Sequence, residues 1–153
     1  MPDYLLIFGA KYLFVFSLLY ALFLFVKSSP ETRKQILITG LISLPLILIV
    51  SLIARELYFN PRPFVVGGFE PLIPHEPDNG FPSDHTLLTA ALASVFIFFH
   101  RRASVVLWIL AALVGLSRVF AGVHHLTDIL GSVAIAILVS SVVYKILKLR
   151  KVV

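Results

Sequence analysis

The residues best suited to chemistry in this chain fall into three short clusters. The first is Arg55-Glu-Leu-Tyr-Phe-Asn-Pro-Arg62-Pro63; the second is Pro82-Ser83-Asp84-His85; the third is Ser117-Arg118 followed by His124 and Asp128. Three arginines gathered in one place would repel one another unless an anion lay between them, and the planar guanidinium matches phosphate oxygens in pairs. Ser83 is an expected N-cap, and a helix opening there aims the free N–H groups of its first turn at the same anion. His124 and Asp128 are four residues apart, so on a helix they share a face. The carboxylate then accepts from one ring nitrogen and leaves the other free as a nucleophile. His85, one turn into a facing helix, is placed to protonate a leaving oxygen. Nucleophile, orienting carboxylate, acid and anion clamp together describe phosphoryl transfer through a phosphohistidine.

Taken singly, each residue has a plainer reading. His85 or His124 alone would be a helix–helix hydrogen bonder, Arg55 or Arg118 alone a snorkelling interface residue, and Ser83 alone a helix cap. Their joint spacing is what favours chemistry. His125, next to His124, is expected to point about 100° away towards solvent or loop. His75 reads as a surface residue of a proline-rich loop, His100 as structural or headgroup-facing, and Asn79-Gly80 as turn chemistry.

The elements that must carry these clusters are membrane helices. The chain has 153 residues, of which 59% are hydrophobic, with mean hydropathy +0.98, against roughly 45–50% apolar content in soluble domains. So short a chain has no core large enough to hide that much apolar surface, and most of it must face lipid. The basic residues behind the net charge of +5 sit in short clusters between apolar runs, which excludes a nucleic-acid surface. Cysteine is absent, so disulfides, thiolate chemistry and Cys-ligated metal are excluded. Met1-Pro2-Asp3-Tyr4 lacks a basic n-region, and the first apolar run is read as a retained helix.

A bilayer crossing takes about 20 mostly apolar residues. Tyr4–Val26 and Ile36–Ala54 meet this, the second with Pro45 inside it; Thr86–Phe99, Ala103–Leu116 and Ile129–Ile146 are shorter. The third and fourth reach spanning length only if Ser83–His85 and Ser117–Phe120 are helical, and such polar turns must face a bundle interior. The expected fold class is therefore all-α: a polytopic bundle of about five spanning helices in one domain over residues 1–153. Lys27, Arg33 and Lys34, then Arg101 and Arg102, then Lys145, Lys148, Arg150 and Lys151 fall on one side. The positive-inside rule makes that side cytoplasmic and the N-terminus external. The Asn60–Pro82 loop and the Ala121–Thr127 turn lie on the opposite side with nearly all the acidic residues. Pro61, Pro63, Pro71, Pro74 and Pro77 make that loop turn-rich and non-helical. Lys11 lies inside the first span without an evident partner.

In order and spacing, the three clusters resemble the signature of the type 2 phosphatidic acid phosphatase family: a basic residue, six positions, Arg-Pro; Pro-Ser-Gly-His; then Ser-Arg, five positions, His, three positions, Asp. The match runs from Arg55 to Asp128. The resemblance implies His124 as nucleophile, Asp128 as its partner and His85 as general acid. It implies Arg55, Arg62, Ser83 and Arg118 as phosphate ligands, with neither metal nor cofactor, acting on lipid phosphates at the outer leaflet of the plasma (inner) membrane. Arg55 replaces the usual lysine, and Asp84 the usual glycine. The Pro-Ser-Asp-His form is similar to the bacterial undecaprenyl-diphosphate phosphatases of this family, which serve cell-wall biogenesis. Asp84 is then expected to pair with an arginine or to hold a proton against the terminal group of a diphosphate. The family core has six helices, and five are counted here.

Within this resemblance the competing substrates are phosphatidic acid and phosphatidylglycerol phosphate. Two other classes compete from outside it. A metal or haem protein using His85, His124, His125 and Asp128 is opposed by the three arginines; of a non-catalytic anion transporter or lipid-binding protein, transport is opposed by the lack of an inverted repeat, and loss of turnover with retained lipid binding in His124→Ala would exclude binding alone.

Overall fold

The structure is a computed structural model that describes residues 3–153; Met1 and Pro2, part of the expected domain and of the N-terminus read for a signal sequence, lie outside it. Among the described residues six helices follow in order: α1 (Asp3–Lys27), α2 (Pro30–Leu57), α3 (Pro63–Gly67), α4 (Asp84–Phe96), α5 (Arg101–Phe120) and α6 (Leu126–Leu149). The protein is all-helical, and α1, α2, α5 and α6 are long and apolar enough to cross a membrane. It is a multi-pass membrane protein.

All five expected spans are helices, and most run longer than their apolar stretches. Helix α2 begins at a conventional cap, Ser29 Oγ accepting from the Thr32 N–H at 3.2 Å with Pro30 in the first turn. It continues through Pro45 to Leu57. Arg101 and Ser117–Phe120 are all part of α5. The third span is the exception, because α4 stops at Phe96 and a tight turn leads to His100. Its 13 residues rise only about 20 Å. Most of them are buried, because α4 packs against α1, α2, α5 and α6, so it has little need to match the thickness of the lipid. With its turn it still traverses the bundle. Asp84 meets Arg55 at one end, and the His100 Nε2 lies 2.7 Å from the Ser28 Oγ at the other.

The bundle is apolar outside, and many small or polar side chains lie inside among apolar ones such as Leu107 and Phe96. Leu41, Leu57 and Leu138 are exposed, whereas Ser17, Thr39, Ser43, Thr86, Thr89, Ser104, Ser132 and Ser140 are buried. In lipid there is no hydrophobic drive to bring helices together, so small residues that permit close backbone approach take the interfaces. Gly9 shows the constraint: a Cβ there would overlap the Ser117 Oγ on α5. Lys11 is exposed on α1.

Two loop expectations need correction. The Asn60–Pro82 loop is not wholly non-helical, because Pro63 fixes the φ of a first helical position and α3 forms behind it. The Ala121–Thr127 turn is shorter than expected, since α6 already begins at Leu126.

Helices α1 and α2 meet at the Ser28-Ser29 turn and touch little beyond it, so α4 forms the floor of a cleft between them. Three adjoining cavities follow that cleft. One of about 280 Å³ lies between Leu18, Phe25, Leu37 and Phe96. The next, about 340 Å³, shares Leu44 with it and reaches Leu88 and Asp84. The last, about 290 Å³, shares those two residues and ends at His85 and Phe14.

Candidate active site

The last turn of α5, the turn that follows it, the start of α6 and the segment leading into α3 converge around His124. Its Nδ1 lies 3.3 Å from the Asp128 Oδ2. Its Nε2 faces two guanidinium groups, Arg62 Nη1 at 3.3 Å and Arg118 Nη2 at 3.4 Å. Guanidinium only donates, so the hydrogen-bond network assigns the ring proton to Nδ1, where the carboxylate accepts it, and leaves a lone pair on Nε2. His124 titrates below its ordinary value of 6.5, chiefly through burial, and the Asp128 hydrogen bond opposes that shift while Arg118 and Arg62 add to it. The ring is held neutral, the form with a nucleophilic nitrogen.

The His124–Asp128 pair does not arise from a shared helical face, as the spacing suggested. His124 lies before α6, whose N-cap is His125, and Asp128 is the third residue of the helix. The Asp128 Oδ2 accepts the His125 N–H at 2.8 Å, capping the helix, and reaches His124 with the same oxygen. A helix-capping geometry, not i,i+4 stacking, builds the pair. The other oxygen, Oδ1, accepts from the Asn60 Nδ2 at 2.6 Å. Asp128 is fully buried.

Arg62 and Arg118 are also buried. Arg62 donates from Nε to the Asp78 Oδ1 at 2.6 Å and from Nη1 to the Val123 carbonyl at 2.8 Å, and Arg118 donates to the Ala10 carbonyl at 3.2 Å. Burial would raise Asp78, but the Arg62 hydrogen bond and charge hold it below the ordinary carboxylate value. The three arginines expected around one anion do not all meet His124. Two face His124, and the third, Arg55, bonds the exposed Asp84 carboxylate at 2.7 Å. That pairing is one of the two arrangements foreseen for Asp84. The Nε atoms of Arg55 and Arg118 are buried and have no partner among the described residues.

Ser83 is the N-cap residue of α4 by backbone, yet its side chain caps nothing. Its Oγ accepts from the Thr86 hydroxyl at 3.2 Å, and its carbonyl accepts from the Ser132 Oγ at 3.0 Å, which ties the second cluster to α6. The first turn of α4 therefore keeps N–H groups free of a side-chain cap. His85 is half-buried, its ring edge-to-face with Phe14 at 5.0 Å between centroids, and within interaction range of Arg118 and His124.

His125 meets the loop, its Nε2 lying 3.1 Å from the Pro61 carbonyl. His100 is structural through Ser28. His75 is not the free surface residue expected, since it is half-buried with its ring 6.1 Å from that of His124. Asn79 is more than turn chemistry. Its Oδ1 accepts the N–H groups of Asn60 and Phe81 at 3.0 Å, and its Nδ2 donates to the Arg55 and Tyr58 carbonyls at 2.9 Å. Gly80 passes so close to the site that a Cβ would lie 2.9 Å from the Asp128 Oδ2. Sequence reasoning missed Asn60, Asp78 and Asn79. Their one signal was position: Asn60 lies between Arg55 and Arg62, and the other two lie shortly before Ser83. Among the described residues, no group of three or more His, Asp and Glu side chains is arranged to hold a metal ion.

The sequence model of the PAP2 superfamily matches residues 36–151. The chain is 33% identical over 143 residues to undecaprenyl-diphosphatase BcrC of Bacillus subtilis (strain 168), covering 94% of this chain and 74% of that protein. Among solved structures, LpxE of Aquifex aeolicus superposes with a TM-score of 0.67 at 24% identity, covering 93% of this chain and 82% of that one. A transmembrane PAP2-type phosphatidylglycerolphosphate phosphatase of Bacillus subtilis superposes at 0.56 with 21% identity, covering 94% and 83%. At those identities the structural likeness establishes the fold alone. The match of the family model over most of the chain, together with a relative one-third identical over 94% of this chain, establishes descent: the chain belongs to the PAP2 superfamily of membrane phosphatases.

Proposed function

We propose that this protein hydrolyses a polyprenyl diphosphate, of the undecaprenyl type, to the monophosphate through a phosphohistidine on His124. The observation that carries the reading is the state of His124: a neutral buried imidazole, its Nδ1 held by Asp128 and its Nε2 lone pair presented between two arginines. The name of the 33% identical relative supports the substrate class, as does the apolar cleft that ends at Asp84 and His85. A long hydrocarbon chain lies in that cleft with its phosphates at the outer end.

In the first step Nε2 attacks the terminal phosphorus in line with the bond to the bridging oxygen. That bond breaks, its electron pair goes to the lipid monophosphate, and His85 protonates the leaving oxygen. Arg62, Arg118 and the free N–H groups beside Ser83 meet the charge spread over the three other oxygens. Asp128 stabilises the positive charge that develops on the imidazole. Water then attacks the phosphorus, His85 takes its proton back, and the electron pair returns to Nε2. Asp84, paired with Arg55, does not repel the substrate, and Arg55 keeps donors for the phosphate nearer the lipid. The whole chain acts as one transmembrane unit, with the site on the extracytoplasmic face of the plasma membrane, opposite the basic clusters.

Phosphate release by the purified protein in detergent tests this, with EDTA present, undecaprenyl diphosphate and phosphatidic acid as substrates, and His124→Ala as control. Release from the diphosphate that vanishes in the variant supports both chemistry and substrate. Release from phosphatidic acid alone keeps the chemistry and moves the substrate to a monoester. Equal release with and without His124 would sink the mechanism.

A further inference from the structure

The loop over the site carries a histidine that neither the motifs nor the mechanism above uses. The segment around His75 is held at both ends. The Leu72 N–H donates to the Ala121 carbonyl at 3.0 Å, and Ile73 is buried against Ala10, Ala121 and Val123. Further along the segment, Asp78 takes the Nε of Arg62. Between these anchors the His75 ring is half-buried, 6.1 Å from that of His124 and at 77° to it. On its other side it borders an open cavity of about 390 Å³ with Pro74 and Glu76.

Its hydrogen bonding differs from that of the structural histidines. His100 and His125 each have a ring nitrogen against a fixed partner, the Ser28 Oγ and the Pro61 carbonyl. The His75 Nδ1 is buried and has none among the described residues. The Glu76 backbone is near enough to favour the protonated ring but does not meet hydrogen-bond geometry with Nδ1. A buried polar atom without a partner costs about 1–3 kcal/mol, and such atoms gather where a ligand supplies the partner. Burial, followed by the charges of Arg62 and Arg118, pushes the ring below its ordinary titration range. His75 is thus a neutral donor and not a further positive charge.

We propose that His75 is a third histidine of the catalytic site, donating a ring N–H to a non-bridging oxygen of the phosphoryl group transferred to His124. This rests on the phosphohistidine reading. A phosphoryl group on Nε2 extends outward from the His124 ring by two bonds, which brings its oxygens into the range of a neighbouring ring at this separation. Because the loop is fixed on both sides, little ordering is needed to make the contact.

The experiment uses the full chain in detergent with undecaprenyl diphosphate, comparing wild type, His124→Ala, His75→Ala, His75→Asn and His75→Phe for kcat, KM, vanadate inhibition and thermal unfolding. Loss of one preorganised donor lowers kcat by about 10²-fold. His75→Ala is therefore expected to lower kcat and weaken vanadate by similar factors, with KM and unfolding little changed. His75→Asn, which places an amide N–H near the Nδ1 position, recovers part of both. If the alanine variant fails to fold, His75→Phe decides, since it keeps the ring packing and lacks the N–H. Wild-type kcat in a folded His75 variant overturns the proposal, and so does reduced kcat with unchanged vanadate affinity. Wild-type turnover no greater than that of His124→Ala removes the phosphohistidine reading itself, and this inference with it.

Discussion

Replacing Asp128 by asparagine tests whether the carboxylate acts by charge or only by shape. In the structure the Oδ2 serves both the His125 N–H and His124 Nδ1, while the Oδ1 accepts from the Asn60 Nδ2. An asparagine with its oxygen in the Oδ2 position keeps the helix cap and the His124 tautomer. Its NH2 group then faces the Asn60 NH2, and a flip of the Asn60 amide repairs that clash. The fold and the tautomer survive, and the lost quantity is the negative charge against the imidazole as it becomes positive. Hydrogen bonds to charged groups contribute about 1.5–3 kcal/mol against about 0.5–1.5 for neutral ones. Adding the charge developed in the transition state puts the loss at about 2–3 kcal/mol, roughly 30- to 150-fold in kcat. The assay is phosphate release under saturating substrate, with thermal unfolding measured alongside. Removing the negative charge that favours the protonated ring also lowers the His124 pKa, so the acid limb of kcat/KM moves to lower pH. A kcat within threefold of wild type, or an acid limb that moves upward, would refute this account of Asp128.

Four further outcomes follow from the geometry. Gly80→Ala pushes a methyl against the Asp128 Oδ2 and the Asn60 carbonyl, and is expected to lower kcat about tenfold through displacement of the carboxylate, as steady-state kinetics would show. Leu88→Trp fills the junction of two cleft cavities; KM should rise for a long-chain lipid diphosphate and stay unchanged for a soluble phosphate ester, and equal effects on both would remove the cleft from lipid binding. Asp84→Gly frees Arg55 from its ion pair and should change the ratio of kcat/KM for undecaprenyl diphosphate over phosphatidic acid, read by competition between the two. His75 and His124 both resist protonation in the folded state, so the unfolded chain takes up more protons below its ordinary histidine value; thermal stability should be full above about pH 6.5 and fall as the pH drops through and below it.

Much of this protein was legible without coordinates. Composition required lipid-facing helices, because apolar residues at this density exceed any core that so short a chain can bury. The spacing of Arg55, Arg62, His85, Arg118, His124 and Asp128 named the candidate reactive groups, since each side chain's chemistry is a property of its type. Periodicity then misassigned how some of them meet. It placed His124 and Asp128 on one helical face, whereas the helix begins between them and the capping carboxylate makes the contact. It carried the third segment on to Phe99, whereas α4 ends at Phe96, because an apolar run does not disclose that its neighbours bury it. It did not say which arginine pairs with Asp84, since only packing shows that Arg55 meets that carboxylate while Arg62 and Arg118 turn to His124. Asn60, His75, Asp78 and Asn79 were invisible for the same reason. Their importance comes from contacts across the fold, Asn60 with Asp128, His75 with His124, Asp78 with Arg62 and Asn79 with the Arg55 carbonyl. Sequence order carries residue identity and local period, and only the packed chain decides which distant groups come close enough to share a proton or an anion.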